Sequence, residues 1–353
     1  MNEEALLENA NSGVLVRPPE PSDFIVGAEN EIAAAARLET GDWRPFLGTD
    51  EQQISLYFDT MACVTFSATN CVEAQVNWMV ANGLIPEATL NELKEMGYFD
   101  EKGKFNCSDR FTAKMSGTTR RGNYLTAVWD SIRNDGLLPE KDWAYPREQR
   151  TPVFDWDDYY KEIPQELKDK AKKLSKTGGI FDIAYQWLVP GDGANQTNFS
   201  KWLKAAPIQL ATAVCPPWNT SEVVQGCSLA VGHATMMFSA KDAWYDIEDH
   251  YKPFQKRLAL NYPIPNALQG IVSLKSNQPP MPQIDQALSK RLAGKLLLAI
   301  EDRGAVWYVT PEGKRAKIGR SPEEVAAFLQ AINDKKVPVT GITNADIAKI
   351  AMV

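Results

Sequence analysis

The chain has 353 residues, and 38 Lys and Arg against 45 Asp and Glu give it a formal net charge of −7. This acidic balance argues against a dedicated nucleic-acid-binding protein, because such proteins need a basic surface to hold phosphates. No apolar run approaches the ~20 residues that a membrane-spanning helix needs. The N-terminal stretch MNEEALLENANSG is acidic and has no apolar core, so it lacks the pattern of a secretory signal.

Histidine and cysteine counts limit the chemistry further. His233 and His250 are the two histidines, so any imidazole acid–base role must fall to one of them and a histidine-rich metal site is excluded. The five cysteines contain no CxxC pair, and we expect neither a metal nor a cofactor. An odd cysteine count without an export signal argues against disulfides. A bridge between Cys215 and Cys227 would require an oxidising compartment, and we do not expect it.

Residues 1–42 are predicted to form an irregular N-terminal lead-in with one helical stretch over 29–38. The strongest helix signal begins at Cys63. Apolar residues recur every four positions over 64–80 and define one helix face, with Gly83 as the predicted C-terminal cap.

Two further helices are predicted, over 124–133 and 163–174. Strand-like composition follows them, and the predicted strands are 179–188, 208–214, 228–238 and 243–247. Helices thus precede strands along the chain instead of alternating with them. This segregation predicts an α+β fold with a helical lobe and an antiparallel β lobe, not a repeating βαβ sheet.

The C-terminal part is predicted to be separate. A Pro-rich linker over 276–289 leads to a small β-rich module over 290–353. Three short strands are predicted in that module, over 295–300, 305–310 and 315–318. A helix is predicted to begin at Ser321, with a first-turn proline and a capping-box acid. The stretch 290–320 holds eight basic and three acidic residues.

Cys63, His233 and Asp249 form a candidate catalytic constellation. Cys63 lies at the predicted N-terminus of the long helix, where the helix dipole favours thiolate over thiol. His233, on a predicted strand, could accept the thiol proton and stabilise the thiolate as imidazolium. Asp249 follows His233 after one further predicted strand and could fix the orientation of the imidazole.

Five short segments, in order, resemble papain-like cysteine peptidases. ACVTFSATN resembles the family's CWAFS signature, in which the cysteine opens the central helix. KAAPIQLATAV, GHATMMF and AWYDIEDHY resemble the strand before the histidine, the histidine strand and the segment of the orienting residue. RRGNYLTAVWDSIRNDGLLPEKDWAYP resembles the glycine pair, helix and YPY stretch, and the resemblance implies that Gly122 binds the substrate backbone. The peptidase-like domain is therefore placed at 43–275.

The chain departs from the family pattern at several positions. Val64 and Tyr251 stand where the family has tryptophan, and Asp249 stands where it usually has asparagine. An aspartate can still orient an imidazole, as serine triads show. The family's oxyanion glutamine lies six residues before the cysteine, and a loop insertion of about four residues would bring Gln53 into register, with Gln52 as its neighbouring alternative.

The resemblance implies a papain-like two-lobed fold and hydrolysis of protein or peptide substrates through an acyl-enzyme. The N-terminal lead-in could cover the cleft but has no recognisable pro-domain pattern. Two alternatives stay open. One is a catalytically weak or inactive papain-fold structural or binding protein of a phage particle or cell surface. The other is an amidase or transpeptidase acting on cell-wall peptides.

The C-terminal stretches GKLLLAIEDRGAVWYVTPEGKRAKIG and GITNADIAKI resemble a small WYV-type module of bacterial surface and phage proteins. The resemblance implies a cell-surface or virion partner, with Trp307 and Tyr308 as candidate binding aromatics. Together with the missing signal sequence, it predicts a cytoplasmic or virion-associated protein rather than a classically secreted one, with no nucleic-acid partner and no membrane span.

Overall fold

A computed structural model describes residues 13–17, 20, 23, 25, 37–53, 59–144, 156–175, 179–190, 198–229, 231–241 and 243–275, together with four strands of the C-terminal part. The chain divides into two compact units, residues 1–275 and 276–353. The predicted helix over 29–38 lies almost wholly outside the described residues.

The first unit contains a group of helices that precede most of the strands. In chain order these are α1 (Cys63–Ala81), α2 (Glu87–Met96), α3 (Asp109–Met115), α4 (Leu125–Asn134), α5 (Trp156–Tyr159), α6 (Gln165–Ser175) and α7 (Phe199–Leu203). Single turns of 3-10 helix cover Arg44–Phe46 and Glu140–Asp142.

Within the described residues, the same unit contains a seven-stranded sheet in the order β3-β9-β4-β6-β7-β8-β5. Its strands are β3 (Phe181–Pro190), β4 (Ile208–Thr212), β5 (Val223–Val224), β6 (His233–Lys241), β7 (Trp244–Glu248), β8 (Gln255–Ala259) and β9 (Asn266–Leu274). Neighbouring strands are antiparallel except β5 and β8, which are parallel. Two short parallel strands, β1 (Val14–Leu15) and β2 (Asn123–Tyr124), pair separately.

Helix α1 is the centre of this unit. The predicted apolar face is buried except for Val80, which is partly exposed, and polar side chains on the other faces are buried too, including Thr69 and Gln75. These polar groups find distant partners: the Gln75 amide donates to Gly270 O at 3.1 Å, and Gln209 donates to Val64 O at 2.8 Å. The helix is therefore enclosed on nearly all sides, which fixes the position of its first residue, Cys63.

The mixed α+β class predicted from the sequence is confirmed, with helices followed by a mostly antiparallel sheet. The sequence patterns missed four helices, α2, α3, α5 and α7, and five strands, β1, β2, β5, β8 and β9. Gly83 lies one residue beyond the C-cap Asn82 and has φ +62°, a left-handed conformation that suits glycine at a helix end.

The expectation that the chain has no disulfide is wrong. Cys215 and Cys227 are joined by a disulfide across a sequence separation of 12. Cys63, Cys71 and Cys107 are free and buried. The odd total therefore reflects one bridge plus three thiols, and counting cysteines could not separate these two groups.

The second unit contains a four-stranded sheet within its described residues, in the order β12-β11-β10-β13. The strands are β10 (Leu296–Ala299), β11 (Ala305–Val309), β12 (Arg315–Gly319) and β13 (Val339–Ile342). The first three match the predicted strands, and β13, which pairs in parallel with β10, was not predicted. The helix predicted from Ser321 lies outside the described residues, as do the side chains of Trp307 and Tyr308. Among the helices that the structure describes, none has the length and apolar character to cross a membrane.

Candidate active site

Cys63 is the first residue of α1 and is fully buried. The turn before it is tight: Met61 has φ +56°, and its backbone N–H donates to Asp59 Oδ1 at 2.7 Å. The helix begins there because the Ala62 carbonyl accepts the first helical hydrogen bonds, from Thr65 N and Phe66 N. The Cys63 thiol therefore lies at the positive end of a 19-residue helix.

His233 is the first residue of β6 and is also fully buried. Its backbone is held in the sheet opposite Thr212 of β4. The imidazole Nε2 lies 2.6 Å from Asp249 Oδ1, and among the described residues Nδ1 has no hydrogen-bond partner. Because Nε2 is engaged by Asp249, Nδ1 is the nitrogen left for the neighbouring Cys63 thiol, which interacts with the ring.

Asp249 follows β7 directly and is surrounded by donors. Oδ1 accepts from His233 Nε2 and from His250 N at 2.7 Å. Oδ2 accepts from Trp218 Nε1 at 2.6 Å and from Lys256 Nζ at 2.7 Å. A carboxylate has about four lone-pair sites, so this one is fully engaged and its orientation is fixed.

The charges of these groups are strongly coupled. Burial alone lowers the pKa of His233, but the Asp249 carboxylate and the Cys63 thiol outweigh burial and raise that pKa to about 10. Burial raises the pKa of Asp249, yet the His233 and Lys256 charges bring it well below its usual range. The neighbouring His250 behaves oppositely, since burial lowers its pKa to about 3 and leaves it neutral.

Two aromatic rings wall the imidazole. The Tyr251 ring lies 4.9 Å from the His233 ring at 34°, and the Trp218 ring lies 5.8 Å away at 89°. Both rings are buried. They exclude water from the bond between His233 and Asp249, which strengthens that bond. Tyr251 thus packs beside the histidine, at a position where the papain-like sequence pattern has tryptophan.

The structure places Gln53 near this group but with its amide engaged. Gln53 Nε2 donates to Asp59 Oδ1 at 2.7 Å and to the Tyr251 hydroxyl at 2.9 Å. Its backbone N–H donates to His250 O at 3.1 Å. Gln53 is buried, whereas Gln52 is partly exposed. To act as an oxyanion donor, the Gln53 amide would have to exchange one of these two partners for the substrate oxygen.

Gly122 lies beside the N-terminal segment of the same chain. We call Gly13–Leu15 the strap. Gly13 N donates to Gly232 O at 2.8 Å, next to His233, and Gly13 O accepts from Asn123 N at 3.1 Å. A β-carbon on Gly13 would lie 2.6 Å from Cys63 Sγ, and one on Gly122, which has φ +87°, would lie 1.9 Å from Gly13 O. The strap therefore lies against the thiol, although the N-terminal lead-in has no recognisable pro-domain pattern.

His233, Asp249 and His250 each offer a ligand atom, and these atoms lie within 4.8 Å of one another. The donor set does not suit a cation. Asp249 already has an ammonium group 2.7 Å from Oδ2 and accepts two hydrogen bonds on each oxygen. Recruiting it to a metal would break the ion pair with Lys256 and leave a buried ammonium without its counter-charge.

The structure thus brings Cys63, His233 and Asp249 together and puts Gly122 and Gln53 at the edges of the same region. The sequence patterns missed Lys256, Trp218 and Asp59. Of these, only Lys256 gave a signal: it alternates with exposed residues in QKRLA, at a position that β-strand periodicity turns inward. Trp218 and Asp59 reach the site from irregular segments, where no periodicity predicts direction.

No protein-family model and no curated protein matches the sequence. Solved structures of papain-like cysteine proteases are similar in fold. Procathepsin L2 from Tenebrio molitor larval midgut is 13% identical, covers 78% of this chain and 81% of its own, and has a TM-score of 0.47. Xylellain, a cysteine protease from Xylella fastidiosa, is 15% identical, covers 76% of this chain and 97% of its own, and has a TM-score of 0.46. ProCathepsin B S9 from Trypanosoma congolense is 10% identical, covers 76% of this chain and 88% of its own, and has a TM-score of 0.48. At sequence identities this low, the similarity is one of fold alone.

Proposed function

We propose that this chain is a cysteine peptidase in which Cys63 is the nucleophile and His233 the acid–base. The observation that carries the proposal is the 2.6 Å contact between His233 Nε2 and Asp249 Oδ1, which leaves Nδ1 for the thiol at the N-terminus of α1. This is the arrangement that nucleophilic catalysis needs: a base oriented by a third group and placed beside an activated nucleophile.

The reaction follows from these positions. The Cys63 proton passes to His233 Nδ1, and the thiolate sulfur attacks the carbonyl carbon of a peptide bond. The imidazolium returns that proton to the leaving amine as the carbon–nitrogen bond breaks. Water then loses a proton to His233 and attacks the thioester, which releases the acid and restores the thiol. Asp249 keeps Nε2 occupied throughout and so holds the productive tautomer.

Gly122 and Gln53 supply substrate contacts in this proposal. The Asn123 N–H beside Gly122 already binds a backbone carbonyl, that of Gly13, which supports a role for this loop in holding a substrate backbone. Gln53 would donate its amide to the oxyanion together with the Cys63 backbone N–H. Substrate can take these positions only after the strap has left, so we propose that the chain as described is a covered form of the enzyme.

A thiol probe tests the proposal. An activity-directed electrophile should label Cys63 and spare the buried Cys71 and Cys107, and His233→Ala should abolish both labelling at neutral pH and peptide hydrolysis. Cys63→Ala is the matched control for labelling. If Cys63 stays unlabelled in folded protein from which the strap has been displaced, the proposal fails.

The strap favours a second candidate, a papain-fold binding or structural protein whose site is permanently closed. Two distant segments hold the strap by backbone hydrogen bonds, through Gly232 O and Asn123 N. Under this candidate, displacing the strap yields no hydrolysis of peptides or cell-wall peptides. Cys63→Ala leaves the protein's binding or its retention in a larger assembly unchanged. Hydrolysis that depends on both Cys63 and His233 excludes it.

A further inference from the structure

Lys256 is a charged residue buried against the acid of the proposed site. Its side chain is 0% exposed, as is that of Asp249. The ammonium donates to Asp249 Oδ2 at 2.7 Å, to Tyr251 O at 2.6 Å and to Pro253 O. An ammonium group has three N–H donors, so all of them are used. Lysine is almost never fully buried unless it is paired, and here Asp249 is the paired charge.

The charge of Asp249 needs this partner. A carboxylate beside His233 introduces a full negative charge into a dry region where a neutral amide could also orient the imidazole. Trp218 Nε1 and His250 N give the carboxylate hydrogen bonds, but among the residues that the structure describes only Lys256 and the His233 imidazolium give it positive charge. The ammonium also lies 5.4 Å from the Trp218 ring centroid, which adds a favourable cation–π contact.

Lys256 also fixes the turn that carries the site. Asp249 N donates to Phe254 O at 2.7 Å, so the chain closes a turn between β7 and β8. Lys256, on β8, binds two carbonyls of that turn, at Tyr251 and Pro253. The Tyr251 ring is the one that packs on His233. One ammonium group thus holds both the acid and the aromatic wall of the imidazole.

We propose that Lys256 is a positioning residue for the reaction: by pairing with Asp249 Oδ2 it presents Oδ1 to His233 and offsets the carboxylate's charge. This role rests on the proposed cysteine-peptidase function. The paired Asp249 and Lys256 have little net charge, yet the pair still presents a fixed hydrogen-bond acceptor, Asp249 Oδ1, to the imidazole. Removing the lysine alone leaves the carboxylate uncompensated, whereas removing both charges restores the balance.

Other titratable groups face this pair. Cys63 of α1 and His233 of β6 approach through the imidazole; His250 and Tyr251 lie on the same turn, and Tyr262 approaches Asp249 from the segment before β9. Asp59, before α1, reaches the region through the Tyr251 hydroxyl. All of them are kept in the variants below, so a change between variants reports the Asp249–Lys256 pair.

The test is the pH profile of Cys63 alkylation by iodoacetate in the full chain, with peptide mapping to follow Cys63. An anionic reagent is drawn to the imidazolium, so the rate falls at the alkaline pH at which His233 loses its proton. The variants are Lys256→Met, Lys256→Gln and the double variant Asp249→Asn/Lys256→Met. The parent and all variants carry Gly13→Val, which overpacks the strap against Cys63, so that access to the thiol is opened alike in each of them.

The expected result is a loss of alkylation rate of about tenfold in each single Lys256 variant. The alkaline limb, meaning the fall in rate as His233 loses its proton, should move up by about one pH unit, because the Asp249 charge is no longer offset and holds that proton more strongly. The double variant should recover most of the rate, and its alkaline limb should lie below that of the parent. Lys256→Gln keeps an amide donor and serves where Lys256→Met does not fold.

Two results overturn the inference. If the single variants lower thermal stability but leave the alkaline limb in place, Lys256 is only structural. If the double variant recovers no rate, the charge balance does not govern the site. A parent profile with no limb that depends on His233 is a different failure, since it removes the proposed function and with it this role of Lys256.

Discussion

A β-carbon on Gly13 would lie 2.6 Å from the sulfur of Cys63, closer than real β-carbons approach another atom. Residue 13 must therefore be glycine for the strap to lie where it does. The strap is hydrogen-bonded to Gly232 O, next to His233, and to Asn123 N, next to Gly122. A segment far upstream of the thiol in the sequence thus packs against it.

Replacing Gly13 by valine should uncover the thiol. Overpacking of this kind costs about 1–3 kcal/mol, which corresponds to a 5- to 150-fold rise, roughly, in the population with the strap displaced. The rate of Cys63 labelling should rise by a similar factor. Val16→Ala is the matched control, because Val16 follows the strap and is 51% exposed. Equal labelling rates in Gly13→Val and the parent would show that the strap does not limit access.

Gln53→Ala should separate turnover from thiol reactivity. Loss of one oxyanion donor lowers kcat by about 10²–10³-fold, while alkylation of Cys63 by a small reagent needs no oxyanion and should change little. Gln52→Ala, at the neighbouring and partly exposed position, should leave both rates near those of the parent. If Gln53→Ala slows alkylation as much as hydrolysis, Gln53 acts only as a support for Asp59 and Tyr251, to which its amide is bonded.

Helix α1 illustrates what the sequence could and could not predict. Helix α1 and its first residue Cys63 were predictable, because a four-residue apolar period marks the helix. The burial of Thr69 and Gln75 on its other faces was not, since their partners are remote in sequence. Residue types and order likewise placed His233 and Asp249 as a pair, although order alone carries no distances.

Lys256 and Gly13 were missed for physical reasons. A lysine in a short segment is normally exposed, and its burial depends on an acid that only the turn between β7 and β8 brings close. Gly13 meets Cys63 and Asn123 through contacts between segments that lie far apart in the sequence. No local pattern encodes such contacts, so the covering of the site had to be observed.

The bridge between Cys215 and Cys227 predicts a defined thiol count. Denatured but unreduced protein should react with three equivalents of a thiol reagent, and reduced protein with five. Replacing both bridged cysteines by serine should lower the free energy of unfolding by about 2–4 kcal/mol, because the loop is no longer closed in the unfolded chain. Five reactive thiols before reduction would contradict the bridge.

Glu248 should make the protein less stable as the pH rises. Burial, with Asp50 and Glu51 adding to it, raises the pKa of Glu248 from 4.5 to about 8. A carboxyl whose folded pKa is raised stabilises fully below its unfolded pKa, and this contribution is lost between pH 4.5 and about 8. Glu248→Gln should therefore reduce the loss of unfolding free energy across that window by about 2–5 kcal/mol, measured by urea denaturation at several pH values.

The exposed Glu92 provides the control for this measurement. Glu92→Gln should leave the pH dependence of stability unchanged. Glu73 and Asp109, whose pKa values burial also raises, remain in Glu248→Gln, so some alkaline loss should persist. An unchanged slope in Glu248→Gln would mean that this carboxyl is ionised in the folded protein at neutral pH.

The most direct test of the central claim is the rate of Cys63 alkylation at pH about 6 in Gly13→Val, compared with Gly13→Val/His233→Ala. If His233 takes the thiol proton under the control of Asp249, Cys63 should be alkylated at least about tenfold faster with His233 present, while Cys71 and Cys107 stay unmodified. Equal rates in the two proteins, or an unmodified Cys63 in folded protein with the strap displaced, would contradict the account.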